Sequence, residues 1–176
     1  MENACSVRPA TKDDCATLGV IAPAAYAAAY AYLWDDARAF VDQLRSFSAD
    51  TFAAQIDDTQ FRIWIAEIDG APVGFLTLKL DSTEPVANRA GGAEIPRIYF
   101  LPQGAGKGLA KPLLAEAEIA ARQHGANYIW LDAMASADWA VRTYEKWGFE
   151  KIGRSRFPNN VKDGEADMIV LIKALK

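Results

Sequence analysis

Cysteine and histidine are scarce in this chain of 176 residues: Cys5 and Cys15 stand near its start, and His124 is alone. Two thiols with no histidine or third cysteine nearby exclude a zinc site and a disulfide framework, and read as small buried or half-exposed side chains. Positive charge is in short supply as well. The 19 Lys and Arg face 23 Asp and Glu, a net charge of −4 that excludes the concentrated basic face of a sequence-independent nucleic-acid binder. An acidic balance weakly suits a cationic small substrate. Met1-Glu2-Asn3-Ala4-Cys5 lacks the basic start and apolar run of a secretion signal. The alanine-rich stretch from Ala22 to Tyr32 is too short to span a bilayer, and Pro23 is expected to break it. The expectation is a cytoplasmic protein with no membrane and no nucleic-acid partner.

What the chain has is apolar content: 51% of its residues are hydrophobic. At this length that supports a single domain over residues 1–176 with a full core, and leaves no room for a second catalytic domain. No repeat, linker or low-complexity tract divides it. Alternation predicts a strand over Cys5–Pro9, and Thr11-Lys12-Asp13-Asp14 is a helix start leading into Cys15–Ala22. Tyr26, Tyr30, Leu33 and Trp34, then Phe40, Val41, Leu44 and Phe47, recur at helical spacing. One or two further helices are therefore expected over 24–57, broken near Pro23 and near Ser46–Asp50. Asp69-Gly70 between Phe61–Ile68 and Val73–Leu80 makes a hairpin. A long loop, 84–92, follows. Beyond it come a strand over 94–101, a helix from about Gly108 to His124 stopped by Gly125, and a strand Tyr128–Met134. The remainder is a helix from about Ala137 to Trp147 stopped by Gly148, then strands near Lys151–Phe157 and Ala166–Lys173. The fold class is α/β (α+β).

The informative stretch is Gly104-Ala105-Gly106-Lys107-Gly108 between a strand and a helix. Glycine admits left-handed dihedrals and a helix start leaves N–H donors unpaired, so such a turn can cradle a phosphate. A nucleotide P-loop is excluded, because Leu101 and Gly108 occupy the places of its first glycine and of its Ser or Thr. A dinucleotide fingerprint fails too, with Leu109 or Lys111 where its third glycine belongs, although Asp132 sits at a tempting strand end. Pro96 lies inside the strand before the turn and cannot donate a ladder hydrogen bond, so that strand must be bulged, at an edge, or splayed from its neighbour.

The turn resembles the cofactor-binding core of the GNAT superfamily of N-acetyltransferases, written [Gln/Arg]-x-x-Gly-x-[Gly/Ala]. Gln103 to Gly108 satisfies its letters. Ala105-Gly106-Lys107-Gly108-Leu109-Ala110 satisfies its spacing from Tyr99-Phe100-Leu101-Pro102 and is the preferred register, with Ala105 where the family carries Gln or Arg. The second half of the signature is matched at Ala140, Tyr144, Gly148 and Phe149. Ala137 replaces its usual Asn, whose hydrogen bond to the pantetheine arm is either lost or taken over by Ser136. The resemblance implies a mixed, mostly antiparallel sheet with helices on both faces and a splayed strand pair holding acetyl-CoA, with no metal. It implies cofactor contacts from Ile98, Tyr99, Phe100 and Leu101 as if pantetheine were another strand, and from the turn residues Ala105 through Ala110. Lys107 and Lys111 stand ready to neutralise its phosphates.

Tyr144 takes the family's position near the cofactor sulfur and is the expected general acid. Glu94 resembles the glutamate that deprotonates the amine through a water. His124, closing a helix, is assigned no catalysis. Glu94-Ile95-Pro96-Arg97-Ile98-Tyr99, Ile129-Trp130-Leu131 and Asp167-Met168-Ile169 look most like the polyamine (spermidine/spermine) branch. Tyr30, Trp34, Asp35, Asp36 and the 84–92 loop are the expected acceptor-binding residues beside Glu94, the acidic pair suiting a cationic amine. A peptide or protein acceptor, and a non-catalytic acyl-CoA sensor, are the alternatives. Both a monomer and a homodimer fit the residues; the final strand, expected to be exposed, and the Trp-rich first half are where a dimer contact would form.

Overall fold

The computed structural model describes residues 4–175. Seven strands form one sheet: β1 (Cys5–Pro9), β2 (Phe61–Ile68), β3 (Ala71–Ser82), β4 (Gly92–Phe100), β5 (Tyr128–Met134), β6 (Glu150–Arg156) and β7 (Asp167–Ala174), in the order β1-β2-β3-β4-β5-β7-β6. All neighbours are antiparallel except β4 and β5. Five α-helices flank it: α1 (Cys15–Tyr30), α2 (Ala37–Arg45), α3 (Ala49–Asp57), α4 (Ala110–Gln123) and α5 (Asp138–Lys146). The mixed fold expected from the sequence is the one observed.

Strand alternation assigns the two faces. On β3, Leu76, Leu78 and Leu80 turn toward Leu113, Leu114 and Ala117 of α4, while Phe75 turns toward Leu18 and Ala22 of α1 and Phe52 of α3. The hairpin β2–β3 turns through Asp69 and Gly70, both at positive φ (51° and 77°), the geometry that gives a two-residue turn the twist of its strands. At the expected helix start the Thr11 N–H donates to Asp14 Oδ2 at 2.8 Å.

Three expectations for the chain's organisation are corrected. Pro23 does not break its helix: α1 runs through it to Tyr30. Packing holds it: Leu18, Ala22, Ala25 and Tyr26 are buried on either side of the proline, and Gly19 is pressed so closely on α3 that a Cβ would lie 2.9 Å from the Ala49 nitrogen. With the flanking 3₁₀ turns the helical run Lys12–Leu33 is long and apolar enough to cross a membrane. Its buried side chains, among them Leu18, Ala22, Ala25, Tyr26 and Tyr30, instead belong to the protein core. The real interruption falls at Ala31–Asp36, where Asp36 caps α2 by accepting from the N–H groups of Arg38 and Ala39. Finally, the last strand is no edge: β7 lies between β5 and β6.

Candidate active site

The sheet opens in its middle. β4 pairs with β5 only over Gly92, Ala93 and Glu94, opposite Tyr128, Ile129 and Trp130. Past Glu94 the two strands continue to Phe100 and Met134 without pairing with each other. The cause is local. Pairing with β3 steps from Lys79↔Glu94 to Thr77↔Arg97, so β4 carries one extra residue around Ile95 and Pro96. That bulge reverses which face each later side chain meets, and Pro96 has no N–H to offer a neighbour. Between the separated strands the edge of β4 is left free to pair with something else.

The turn after β4 holds itself together with few bonds. Leu101 donates its N–H to Val73 O (2.8 Å), Gly104 and Ala105 donate to Leu101 O (2.9 and 3.1 Å), and Lys107 donates to Gly104 O (3.4 Å). Gly106 and Gly108 stand at φ +72° and +78°, with open space where a Cβ would be. Among the described residues, the N–H groups of Gly106, Gly108 and Leu109 meet no acceptor. Helix α4 begins at Ala110, and Leu109 ahead of it provides no side-chain cap. An uncapped N-terminus behind a glycine turn concentrates unpaired donors and the positive end of the helix dipole, which is what a phosphate requires.

Two cavities meet at the opening. The larger, of about 640 Å³, runs from the turn along β4 to α5. Ile98, Tyr99, Phe100, Ala105, Gly106, Gly108, Leu109, Ala110 and Tyr144, all expected from the sequence, line it. Three expected cofactor residues do not. Leu101 is turned to β3 by its bond to Val73, Lys107 is exposed, and the Ser136 hydroxyl bonds that of Tyr32 at 3.0 Å. The smaller cavity, of about 50 Å³, lies between the splayed strands, with Tyr26, Pro96, Asp132 and Met168 in its wall. Tyr30, Ile98, Tyr99 and Tyr144 wall both.

Of the expected acceptor residues, Tyr30 alone reaches these cavities. Trp34 is buried, donating its indole N–H to Tyr26 Oη (3.2 Å) and packing on Phe40 and Phe157. Asp35 is exposed and pairs with Lys162 at 3.3 Å, and Asp36 is spent on its cap. The 84–92 loop is tied down internally: the buried Glu84 carboxylate accepts from the N–H groups of Val86, Ala87 and Arg89. Glu94 lines neither cavity, and its Oε2 accepts from Ser82 Oγ at 2.9 Å. His124 pairs with Asp81 at 3.0 Å, away from the opening.

Burial dominates the site's titrations. It pushes the Tyr144, Tyr30 and Tyr99 phenols well above their ordinary value, and Tyr26 to about 12 against the pull of its Trp34 hydrogen bond. These phenols stay neutral near pH 7. Burial also raises the carboxyl groups of Glu94 and Asp132, each opposed by a serine hydroxyl, Ser82 and Ser155 respectively, with the Asp132 charge lifting Glu94 further. Asp132, Tyr26, Trp139 and Trp147 were not singled out from sequence as site residues. The signals were a lone acid inside the apolar Tyr128–Met134 strand and tryptophans at the two ends of α5.

No group of three or more His, Cys, Asp or Glu side chains among the described residues could hold a metal ion. The model of the Acetyltransferase (GNAT) family matches residues 26–149. The chain is 33% identical over 117 residues to the acetyltransferase Atu2258 of Agrobacterium fabrum, 66% of this chain and 77% of that one. It is 34% identical over 90 residues to the uncharacterized N-acetyltransferase YjgM of Escherichia coli, where the match spans 51% of each chain. Among solved structures, the PaiA N-acetyltransferase of Thermoplasma acidophilum in complex with coenzyme A superposes with a TM-score of 0.77 at 22% identity, covering 97% of this chain and 99% of that one. YncA of Salmonella typhimurium, solved with acetyl-CoA, gives 0.66 at 21% identity over 99% and 95%. At those identities the superpositions speak for the fold, while the family model spans most of the sequence. The chain belongs to the GNAT family of acetyltransferases.

Proposed function

We propose that the protein moves an acetyl group from acetyl-CoA to a primary amine of a small molecule. The observation that carries this reading is the shared wall of the two cavities, where Tyr30, Ile98, Tyr99 and Tyr144 stand between a long groove and a small chamber. In this reading the donors of Gly106, Gly108, Leu109 and Ala110 hold the pyrophosphate. The free edge of β4 over Ile98–Phe100 pairs with the amides of pantetheine as a strand would. Trp139, Trp147 and Thr143 cover the other side of that arm. Bound there, acetyl-CoA supplies an activated thioester acyl carbon. The chain supplies position and proton management: an amine brought against that carbon needs a base before attack, and the departing sulfur needs an acid. The raised pKa of Tyr144 keeps its hydroxyl in the protonated form from which an acid must start.

The small chamber is aromatic, and Asp132 is the one charged residue in its wall among the described residues. Aromatic faces and one carboxylate favour a small cationic amine over a neutral or anionic acceptor. A polyamine terminus meets that description, as does any short alkylammonium. The test is release of free CoA from acetyl-CoA across polyamines, amino acids, aminoglycosides and short peptides. Turnover with a small cationic amine supports the reading, turnover with peptides alone replaces it by a protein acceptor, and tight cofactor binding without any turnover replaces it by a sensor.

A further inference from the structure

The splayed strands present a carboxylate that the family-based reading left out. Asp132 stands in the wall of the small cavity opposite Tyr26, Tyr30 and Tyr99, while Glu94, the expected base, lines neither cavity. Glu94 lies across from Trp130, two residues before Asp132 on β5, so strand alternation puts both acids on the same face of the sheet. Glu94 is further withdrawn by its bond to Ser82, and Asp132 is held from the other side by Ser155 of β6, whose hydroxyl donates to Asp132 Oδ2 at 3.2 Å.

We infer that Asp132 is the group that holds the acceptor's ammonium in the small cavity and takes its proton, with Glu94 as a charged neighbour behind it. This rests on the transferase reading above. The balance is simple. The ammonium loses one proton to the Asp132 carboxylate, and the freed nitrogen lone pair forms the N–C bond to the acyl carbon as the C–S bond breaks. Tyr144 gives its proton to the departing thiolate and regains one from the acylated nitrogen. Asp132 then releases its proton to solvent. The titratable groups that share the cavity wall with Asp132 among the described residues favour this role: Tyr26 and Tyr30 on α1, Tyr99 on β4 and Tyr144 on α5 are neutral near pH 7, and Glu94 of β4, coupled to Asp132 though outside the wall, adds negative charge. No Lys, Arg or His lies in the cavity wall among the described residues. A carboxylate so placed attracts a cation, and burial brings its proton affinity closer to neutrality than that of a solvated aspartate.

The experiment compares wild type, Asp132→Asn, Asp132→Glu and Glu94→Gln, using spermidine, n-butylamine and glycylglycine as acceptors. Calorimetric binding of coenzyme A shows that each variant is folded with its groove intact. The inference expects kcat/KM for the best acceptor to fall by roughly 10²- to 10⁴-fold in Asp132→Asn, with partial recovery in Asp132→Glu and loss of less than about tenfold in Glu94→Gln. The acidic limb of the pH profile is expected to vanish in Asp132→Asn alone. Independently of turnover, n-butylamine should bind the coenzyme A complex of Asp132→Asn at least about tenfold more weakly than that of wild type, since a charge-assisted contact to the ammonium is lost. Asp132→Asn within threefold of wild type, in rate or in amine binding, overturns the inference, as does the larger loss falling on Glu94→Gln. Wild-type protein that binds acetyl-CoA but acetylates none of the amines overturns the transferase reading instead, and the binding comparison then decides the place of Asp132 by itself.

Discussion

Tyr144→Phe separates chemistry from folding more cleanly than any other substitution in this site. The ring of Tyr144 packs edge-to-face on Trp147 (5.8 Å between centroids) and Phe149 (5.7 Å), contacts that phenylalanine keeps. Its hydroxyl makes no hydrogen bond among the described residues and lies in a cavity wall, so deleting it orphans no partner. Folding stability should stay within about 0.5 kcal/mol of wild type, or rise. The rate is a different matter. A positioned general acid contributes roughly 10² to 10⁴, or about 3 to 5 kcal/mol of barrier, all of it carried here by one oxygen. With acetyl-CoA and a saturating amine, release of free thiol should therefore slow by at least about a hundredfold while the melting temperature holds. Burial lifts the Tyr144 pKa well above its ordinary value, so the phenol stays protonated through the assay range and kcat should show no basic limb from its ionisation. Full kcat in Tyr144→Phe refutes the acid assignment; a fall accompanied by an equal collapse of stability refutes the claim that the hydroxyl is free of structural duty.

Further outcomes follow from the groove and its surroundings. Trp139 is 63% exposed yet lines the large cavity, so Trp139→Ala should leave stability within about 0.5 kcal/mol while removing about 1–2 kcal/mol of cofactor burial, a roughly five- to thirtyfold rise in Kd by calorimetry. Gly108→Ala places a side chain at φ +78°, where left-handed strain costs about 1–2 kcal/mol with no clash to add to it, and relaxation of the turn should weaken coenzyme A binding about tenfold. Glu84→Ala should cost about 2–4 kcal/mol in chemical denaturation, because Val86, Ala87 and Arg89 lose their common acceptor. Burial by itself would raise the Glu84 pKa, but those N–H groups outweigh it and hold it below the ordinary carboxylate value of 4.5. A depressed folded-state pKa stabilises above the unfolded value, so this contribution should be complete near pH 6 and fade as pH falls below about 4.

The parts of this fold that were legible in the sequence are those decided locally. Asp69-Gly70 dictates its turn whatever surrounds it, short apolar runs rich in Ile and Trp mark β2 and β5, and Pro96 forbids a regular ladder at one defined point, which is why the splay could be anticipated. Pro23 misled because its local cost is set against the burial of the whole α1 face, Leu18, Ala22, Ala25, Tyr26 and Tyr30, which no local pattern reveals. Trp34, Asp35 and Asp36 misled for a related reason. Aromatic and acidic residues suit a cationic ligand by type, yet whether they face a ligand, a cap or a salt bridge depends on where a helix ends, and that helix ends seven residues beyond Pro23. Asp132 went unassigned because an acid in an apolar strand has no local signature of use: it acquires one only when β4 parts from β5 beside it. The positive-φ glycines and the uncapped start of α4 were readable in letters, whereas the cavity they open into depends on α1 and α5, which are far apart in sequence.

The central claim is that the turn after β4 and the parted edge of that strand hold acetyl-CoA. Amide hydrogen exchange with and without the cofactor tests it most directly. The account predicts one-to-one binding with new protection at Gly106, Gly108, Leu109 and Ala110 and along Ile98–Phe100, and little change in β6 or the 84–92 loop. Absence of binding, or binding that leaves those amides exchanging as before, would contradict it.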